Sequence, residues 1–207
     1  MLGRASTGSL LRWGVVAGPF YLTVGLAQAL LREGFDFSRH PLSVLANGPG
    51  GWVQTANFAL TGLMVLAAAA GFARALGPKS RTVTWLLAGY GLSIIAGAIF
   101  TADPVDGFPP GTPEGFPTSI STRGLTHFAA GALGFVCLAM SGFAAAWAMH
   151  RRGAPLLARL SLFSGLVIVL GFSSGFVFPP GILGSWIAVV VGWMWLAVMS
   201  LGLKNPV

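Results

Sequence analysis

QTANFALTGLMVLAAAAGFARAL, residues 54 to 76, carries one charged side chain, Arg74, and that lies close to its end. An apolar window of about 20 residues, wound as a helix, is long enough to cross a hydrocarbon core of roughly 30 Å. Five further windows share this character, at about 11–31, 82–101, 125–149, 158–178 and 184–203. The whole chain fits the same picture, with 55% apolar residues, 8% charged residues and a mean hydropathy of +0.78. Soluble domains are about one-quarter charged, so the expected fold is an all-α integral membrane protein, a bundle of six transmembrane helices. The six windows use up most of the 207 residues, which leaves one membrane domain over 1–207 and no separate soluble one.

The charges orient the bundle. Arg4, Arg12, Arg74, Lys79, Arg81, Arg151, Arg152, Arg159 and Lys204 flank one side of the windows, and only Arg32, Arg39 and Arg123 flank the other. By the positive-inside rule both termini are expected in the cytoplasm. Every carboxylate, Glu33, Asp36, Asp103, Asp106 and Glu114, falls in the first or third loop, so the two longer loops are expected to be extracytoplasmic. A net charge of +7 placed this way speaks for orientation in anionic lipid rather than for nucleic acid. Trp13, Trp52, Trp85, Trp147 and Trp186 sit near window ends, as interfacial aromatic belts do.

The first window has a rival reading. Arg4, Arg12 and Ala27-Gln28-Ala29 imitate a signal peptide with its cleavage site, but the apolar run is long for that role and its removal would leave five helices. Cys137, the single cysteine, lies inside the fourth window and reads as a small core residue. Small residues recur at every fourth position, at Gly89, Ser93 and Gly97, at Gly171 and Gly175, and at Ala188 and Gly192. Such stripes let helix backbones approach closely, and contacts within one molecule are expected ahead of a dimer surface. Phe-Pro-Pro-Gly occurs twice, at 108–111 and 178–181. It reads as helix-stopping chemistry rather than as a duplicated hairpin.

The polar side chains are concentrated in the outer loops. FDFSRHPLSVLANGPGGW, residues 35 to 52, gathers Asp36, Ser38, Arg39, His40, Ser43 and Asn47. Proline disfavours the α conformation in the residue before it, so Asp36 and His40 are not expected to form a helical pair. Pro41 suits the first position of a short helix PLSVLA, ended by a left-handed cap at Asn47-Gly48. In the third loop Asp103 follows a helix C-terminus, where the dipole makes an acid unfavourable. A partner is expected, from Arg39, Arg123, a charged histidine or a cation, and it would tie the two loops together. His127 lies in the first turn of the fourth window, where the dipole disfavours imidazolium and leaves a neutral imidazole able to take a proton or bind a metal.

These residues make up the candidate site, an outward-facing polar pocket near headgroup depth. As an enzyme it would use His127 as base or metal ligand, Asp103 to orient it, and His40 with Asp36 as a second pair. Ser43, Asn47, Arg39, Arg123 and Asp106 are the ligand-binding candidates, Ser43 being also the one plausible nucleophile. Each of these residues has a bland alternative as a loop-locking contact. No metal motif occurs, and the residues specify neither metal nor cofactor.

HPLSVLANGPGGWVQTANFALTGL, GAIFTADPVDGFPPGTP and GLTHFAAGALGF together resemble the signature segments of a bacterial membrane family catalogued as domain of unknown function 998. The resemblance implies an integral membrane protein of six or so helices, with Asp103-Pro104, the run from Gly107 and His127 on the family's pattern. It implies no activity. The functional expectation is a multi-pass protein of a bacterial cytoplasmic membrane that binds or processes a lipid-like or amphiphilic small molecule on its outer side. The alternative is a non-catalytic subunit or ligand sensor that docks a partner. A transporter ranks lower, because no acid lies within the windows.

Overall fold

The computed structural model describes residues 5–115, 117–177 and 182–204. Among these are six long helices: α1 (Thr7–Leu31), α2 (Gly51–Leu76), α3 (Arg81–Ile99), α4 (Thr122–His150), α5 (Pro155–Val177) and α6 (Ile182–Lys204). Each is long and apolar enough to cross a membrane. The fold is thus the expected all-helical multi-pass bundle. The second Phe-Pro-Pro-Gly, at 178–181, lies outside the described residues.

α1 and α4 begin earlier than their hydropathy windows because caps, not hydropathy, set the starts. Ser6 Oγ accepts the Ser9 amide at 3.1 Å, and Ser121 Oγ accepts the Gly124 amide at 2.9 Å. Each serine satisfies one of the N–H groups that a helix start leaves without an internal partner.

Every helix packs on the next, and α6 returns to α1, closing the ring; α6 also touches α2 and α4. The small-residue stripes fall at these internal seams. A Cβ on Gly89 would stand 3.0 Å from Cys137 Sγ, and one on Gly134 would collide with Ser93. Between α5 and α6, Gly171 faces the backbone of Gly184 and the side chain of Ala188. These stripes serve contacts within one molecule, where small side chains let van der Waals packing replace the missing hydrophobic drive. Outward, Trp52, Trp85 and Trp147 are exposed near helix ends, the placement of an interfacial belt.

Successive helices alternate in direction, so the long loops gather at one end of the bundle. The turns after α2 and α4 gather at the other end, with the start of α1 and the end of α6. At that end Arg74 donates to the Ala5 carbonyl, and Arg152 donates to the Leu76 carbonyl at 2.8 Å, covering a helix C-terminus.

Candidate functional site

The loop between α1 and α2 folds back into the bundle mouth. Its centre is a 3-10 helix, Leu42–Ala46, which buries Leu42, Val44 and Leu45 against α1 and α2. The expected short helix is therefore present but tighter, and it begins one residue later. Pro41 is the extended residue before it (φ −73°, ψ 153°), not its first member. At its end Asn47 is extended and Gly48 takes the left-handed conformation, with φ 68°. Gly48 also lies against Pro109, where a Cβ would come within 2.9 Å, so the position needs glycine on both counts.

Arg32, just past α1, fastens this plug. Its guanidinium donates to the Leu45 carbonyl at 3.1 Å and the Asn47 carbonyl at 2.7 Å, and it lies 5.2 Å from the Phe108 ring centroid. Phe108, on the loop between α3 and α4, is fully buried and meets Phe35 edge-on at 5.6 Å. Two loops distant in sequence thus share one aromatic seam over the bundle mouth.

His40 sits in that seam with 0% exposure. The Asp36 amide donates to its Nδ1 at 2.9 Å, and its Nε2 lies 2.9 Å from the Asp106 carbonyl oxygen. An amide must donate and a carbonyl must accept, so the two contacts select the Nε2–H tautomer and use both nitrogens. Asp36 and His40 form no helical pair, yet they meet around a single turn, the His40 amide donating back to the Asp36 carbonyl at 2.8 Å. Proline restrains the φ and ψ of His40 but leaves its N–H free to close the turn.

Arg39, beside it, is exposed and latches the loops. It reaches Glu114 at 2.7 Å and lies 3.7 Å from both Asp106 and Asp36. Glu114 foremost holds the Arg39 guanidinium charged above its ordinary range. The Ser38 hydroxyl and amide, at 2.6 and 2.7 Å from Asp36 Oδ1, hold the Asp36 carboxyl below its usual value, with Arg39 adding to the effect.

Asp103 finds its partner elsewhere than expected. Its two oxygens accept the Ser121 amide, at 2.9 Å, and the Ser121 hydroxyl. The acid has turned from the negative end of α3 to the positive end of α4, which resolves the dipole conflict without an arginine. Gly124 makes this possible, since a Cβ there would collide with the carboxylate. Asp103 therefore closes the α3–α4 loop on itself, and the tie between the two outer loops runs through Arg39 and His40.

Arg123 and His127, one turn apart on α4, cover the C-terminus of α3. Arg123 donates to the Ile99 carbonyl at 2.8 Å, and His127 Nδ1 lies 2.8 Å from the Phe100 carbonyl oxygen. Because the carbonyl can only accept, Nδ1 carries the proton and Nε2 presents its lone pair. No hydrogen bond to that Nε2 occurs among the described residues. Phe58 lies 6.4 Å away between centroids, and the residue keeps 8% exposure.

The structure thus groups Asp36, Arg39, His40 and Asp106 in the latch, and Asp103, Arg123 and His127 at the α3–α4 junction. Ser43 is half-buried on the plug. Asn47 holds Arg32 through its carbonyl while its Nδ2 is buried without a partner. Among the described residues no three His, Cys, Asp or Glu side chains come together in a way that could hold a metal.

A second polar group lies within the helices, and the sequence reading missed it. Gln54, Asn57 and Thr61 are buried on one face of α2 at spacings of three and four. Gln54 Oε1 accepts from Gln28 Nε2 at 2.9 Å and from Asn57 Nδ2 at 3.1 Å, Asn57 Nδ2 also reaches the Tyr21 carbonyl, and Thr61 donates to Asn57. Interhelical bonds of this kind in a membrane contribute about 0.6 kcal/mol each on average. The signal is a polar stripe of helical period inside an apolar window, uncharged and so invisible in the charge pattern.

The chain belongs to the family described as protein of unknown function (DUF998), which matches residues 15–202. No curated protein and no solved structure matches it.

Proposed function

Proceeding from that membership, we propose that the protein binds a lipid-like, uncharged amphiphile at the looped end of its bundle, taken as the extracytoplasmic face of a bacterial cytoplasmic membrane. His127 Nε2 is the group that receives the ligand's hydroxyl. The observation that carries this reading is the contrast between two histidines. His40 has both nitrogens engaged, whereas His127 has Nδ1 held by a carbonyl and Nε2 open. A backbone carbonyl fixing one nitrogen is the usual way to aim the other at a ligand or a proton.

The remaining candidates take supporting roles. Asp103 anchors the start of α4 and biases the field at His127, and Arg123 holds α3 in register with it. Arg39, His40, Asp36 and Asp106 keep the plug shut, with Ser43 and Asn47 riding on it. Proton abstraction by His127 would extend binding to catalysis with the same atoms.

A diazirine-bearing fatty alcohol, photolysed with the protein in bilayers, tests this reading. Adducts are expected on α2 and α4 around Phe58 and His127, with loss in His127→Gln. Adducts confined to the outward-facing Leu125, Phe128 and Leu133 would contradict it.

The docking reading has one observation in its favour. Asp36, Asp106 and Glu114 surround the single cation Arg39, which leaves a net acidic knot on the loop surface that suits a basic partner.

A further inference from the structure

Deeper in the ring, two buried hydrogen-bond donors near Tyr21, Trp193 Nε1 and Gln54 Nε2, are left without partners. Trp193 on α6 is buried and its Nε1–H has no partner. Its ring lies 5.4 Å from Tyr21 on α1 and 5.6 Å from Tyr90 on α3, so it projects into the centre of the bundle. Gln54 has spent its oxygen on Gln28 and Asn57, and its Nε2 is buried and unpartnered. The Tyr21 hydroxyl lies beside that amide without reaching hydrogen-bond geometry. Tyr21 and Tyr90 each keep 8% exposure although they face the inside of the ring.

Indole donates only, and an amide whose oxygen is satisfied has only its N–H groups left to offer. No formal charge is among them. An anion would need a countercharge at this depth, and a cation would meet donors, so the complementary group is a neutral acceptor. Next to it Gln28 Nε2 is fully used by Val24 and Gln54, and Gln28 Oε1 is open. That oxygen can only accept.

We propose that Trp193, Gln54 and Tyr21 form a binding site for the carbonyl of an uncharged ester lipid, with Gln28 Oε1 taking a neighbouring hydroxyl. This site names the class of amphiphile, and it rests on the proposed binding function for the existence of a ligand. Buried donors left open destabilise a fold, and a carbonyl from the ligand satisfies them.

The test compares two probes that differ only at the carbonyl, 1-monodecanoylglycerol and its ether counterpart 1-O-decylglycerol, by thermal unfolding in dodecyl maltoside. The ester is expected to raise the melting temperature of the wild type by more than the ether does. Tyr21→Phe keeps its ring and Trp193→Phe keeps an aromatic side chain of smaller size, and each removes one donor. Each variant should remain folded without probe and should narrow the ester-over-ether difference, which the double variant, left with Gln54 alone, reduces further. His127→Gln should weaken both probes alike and preserve the difference. Equal shifts from ester and ether in the wild type would overturn the carbonyl site while leaving amphiphile binding standing. So would a difference that the double variant leaves undiminished. No shift from either probe in the wild type would overturn both.

Discussion

His127 and Phe100 are joined at 2.8 Å, imidazole Nδ1 to backbone carbonyl. Phe100 caps α3 and His127 lies in the second turn of α4, so this one bond both covers a helix end and aims the opposite nitrogen. With Arg123 on Ile99, it makes the α3–α4 junction a doubly bonded corner beside the bundle mouth.

The corner should be measurable. A hydrogen bond from a charged donor contributes about 1.5–3 kcal/mol, less where solvent competes. Arg123→Gln is expected to destabilise the detergent-solubilised protein by about 1 kcal/mol in chemical denaturation. Asp103→Asn should act through the start of α4, lowering the protection of the Gly124 and Leu125 amides in hydrogen exchange while the Arg39 latch stays closed. Unchanged protection would remove Asp103 from its capping role.

Histidine reactivity separates the two candidate imidazoles. Diethyl pyrocarbonate attacks an imidazole nitrogen that carries a lone pair. It should modify His127 at Nε2 and leave His40 untouched, because both His40 nitrogens are engaged and the residue is sealed. Opening the latch with Arg39→Gln and Glu114→Gln together should raise His40 modification several-fold. Equal labelling of both histidines in the wild type would contradict the assigned geometry.

Acid should loosen the latch in a defined direction. The Asp36 carboxyl is held below its reference value of 3.8, chiefly by Ser38. A depressed carboxylate stabilises the fold fully above its unfolded value, and that contribution is lost as pH falls through the folded value. Thermal stability should show no Asp36 contribution to pH dependence between about pH 5 and pH 8, and should decline below pH 4. Asp36→Asn should reduce that acid decline. A variant that steepens it would mean the carboxylate is not held by Ser38 in solution.

Orientation is open to a direct check. Cysteines at Ser80 and Thr112 in a Cys137→Ala background should differ towards an impermeant thiol reagent on intact cells, with Thr112 labelled and Ser80 protected. The reverse pattern would place the looped end in the cytoplasm and overturn the outward-facing site.

The helices were legible because hydropathy alone separates spans from loops, and their starts were not, because Ser6 and Ser121 cap outside the apolar windows. The place of Asp103 at a helix C-terminus announces its need of a partner. That the partner is Ser121, within the same loop, depended on where α4 begins. Arg39 is legible as an agent of the tie between the loops, though it pairs with Glu114 and Asp106 rather than Asp103; the part of His40 is not, because it reaches the Asp106 backbone, which no side-chain pattern announces. Gln54, Asn57 and Thr61 were readable from their spacing. The packing of Trp193 on Tyr21, whose carbonyl takes Asn57 Nδ2, is not, since it exists only once α6 closes on α1.

Native mass spectrometry of wild type and His127→Gln, released from detergent under identical conditions, addresses the binding claim most directly. The account predicts a wild-type protein carrying an additional neutral mass with the fragmentation of an uncharged amphiphile, and a His127→Gln variant that remains folded with that mass lost or strongly reduced. Full retention of the same mass by a folded His127→Gln variant would contradict it.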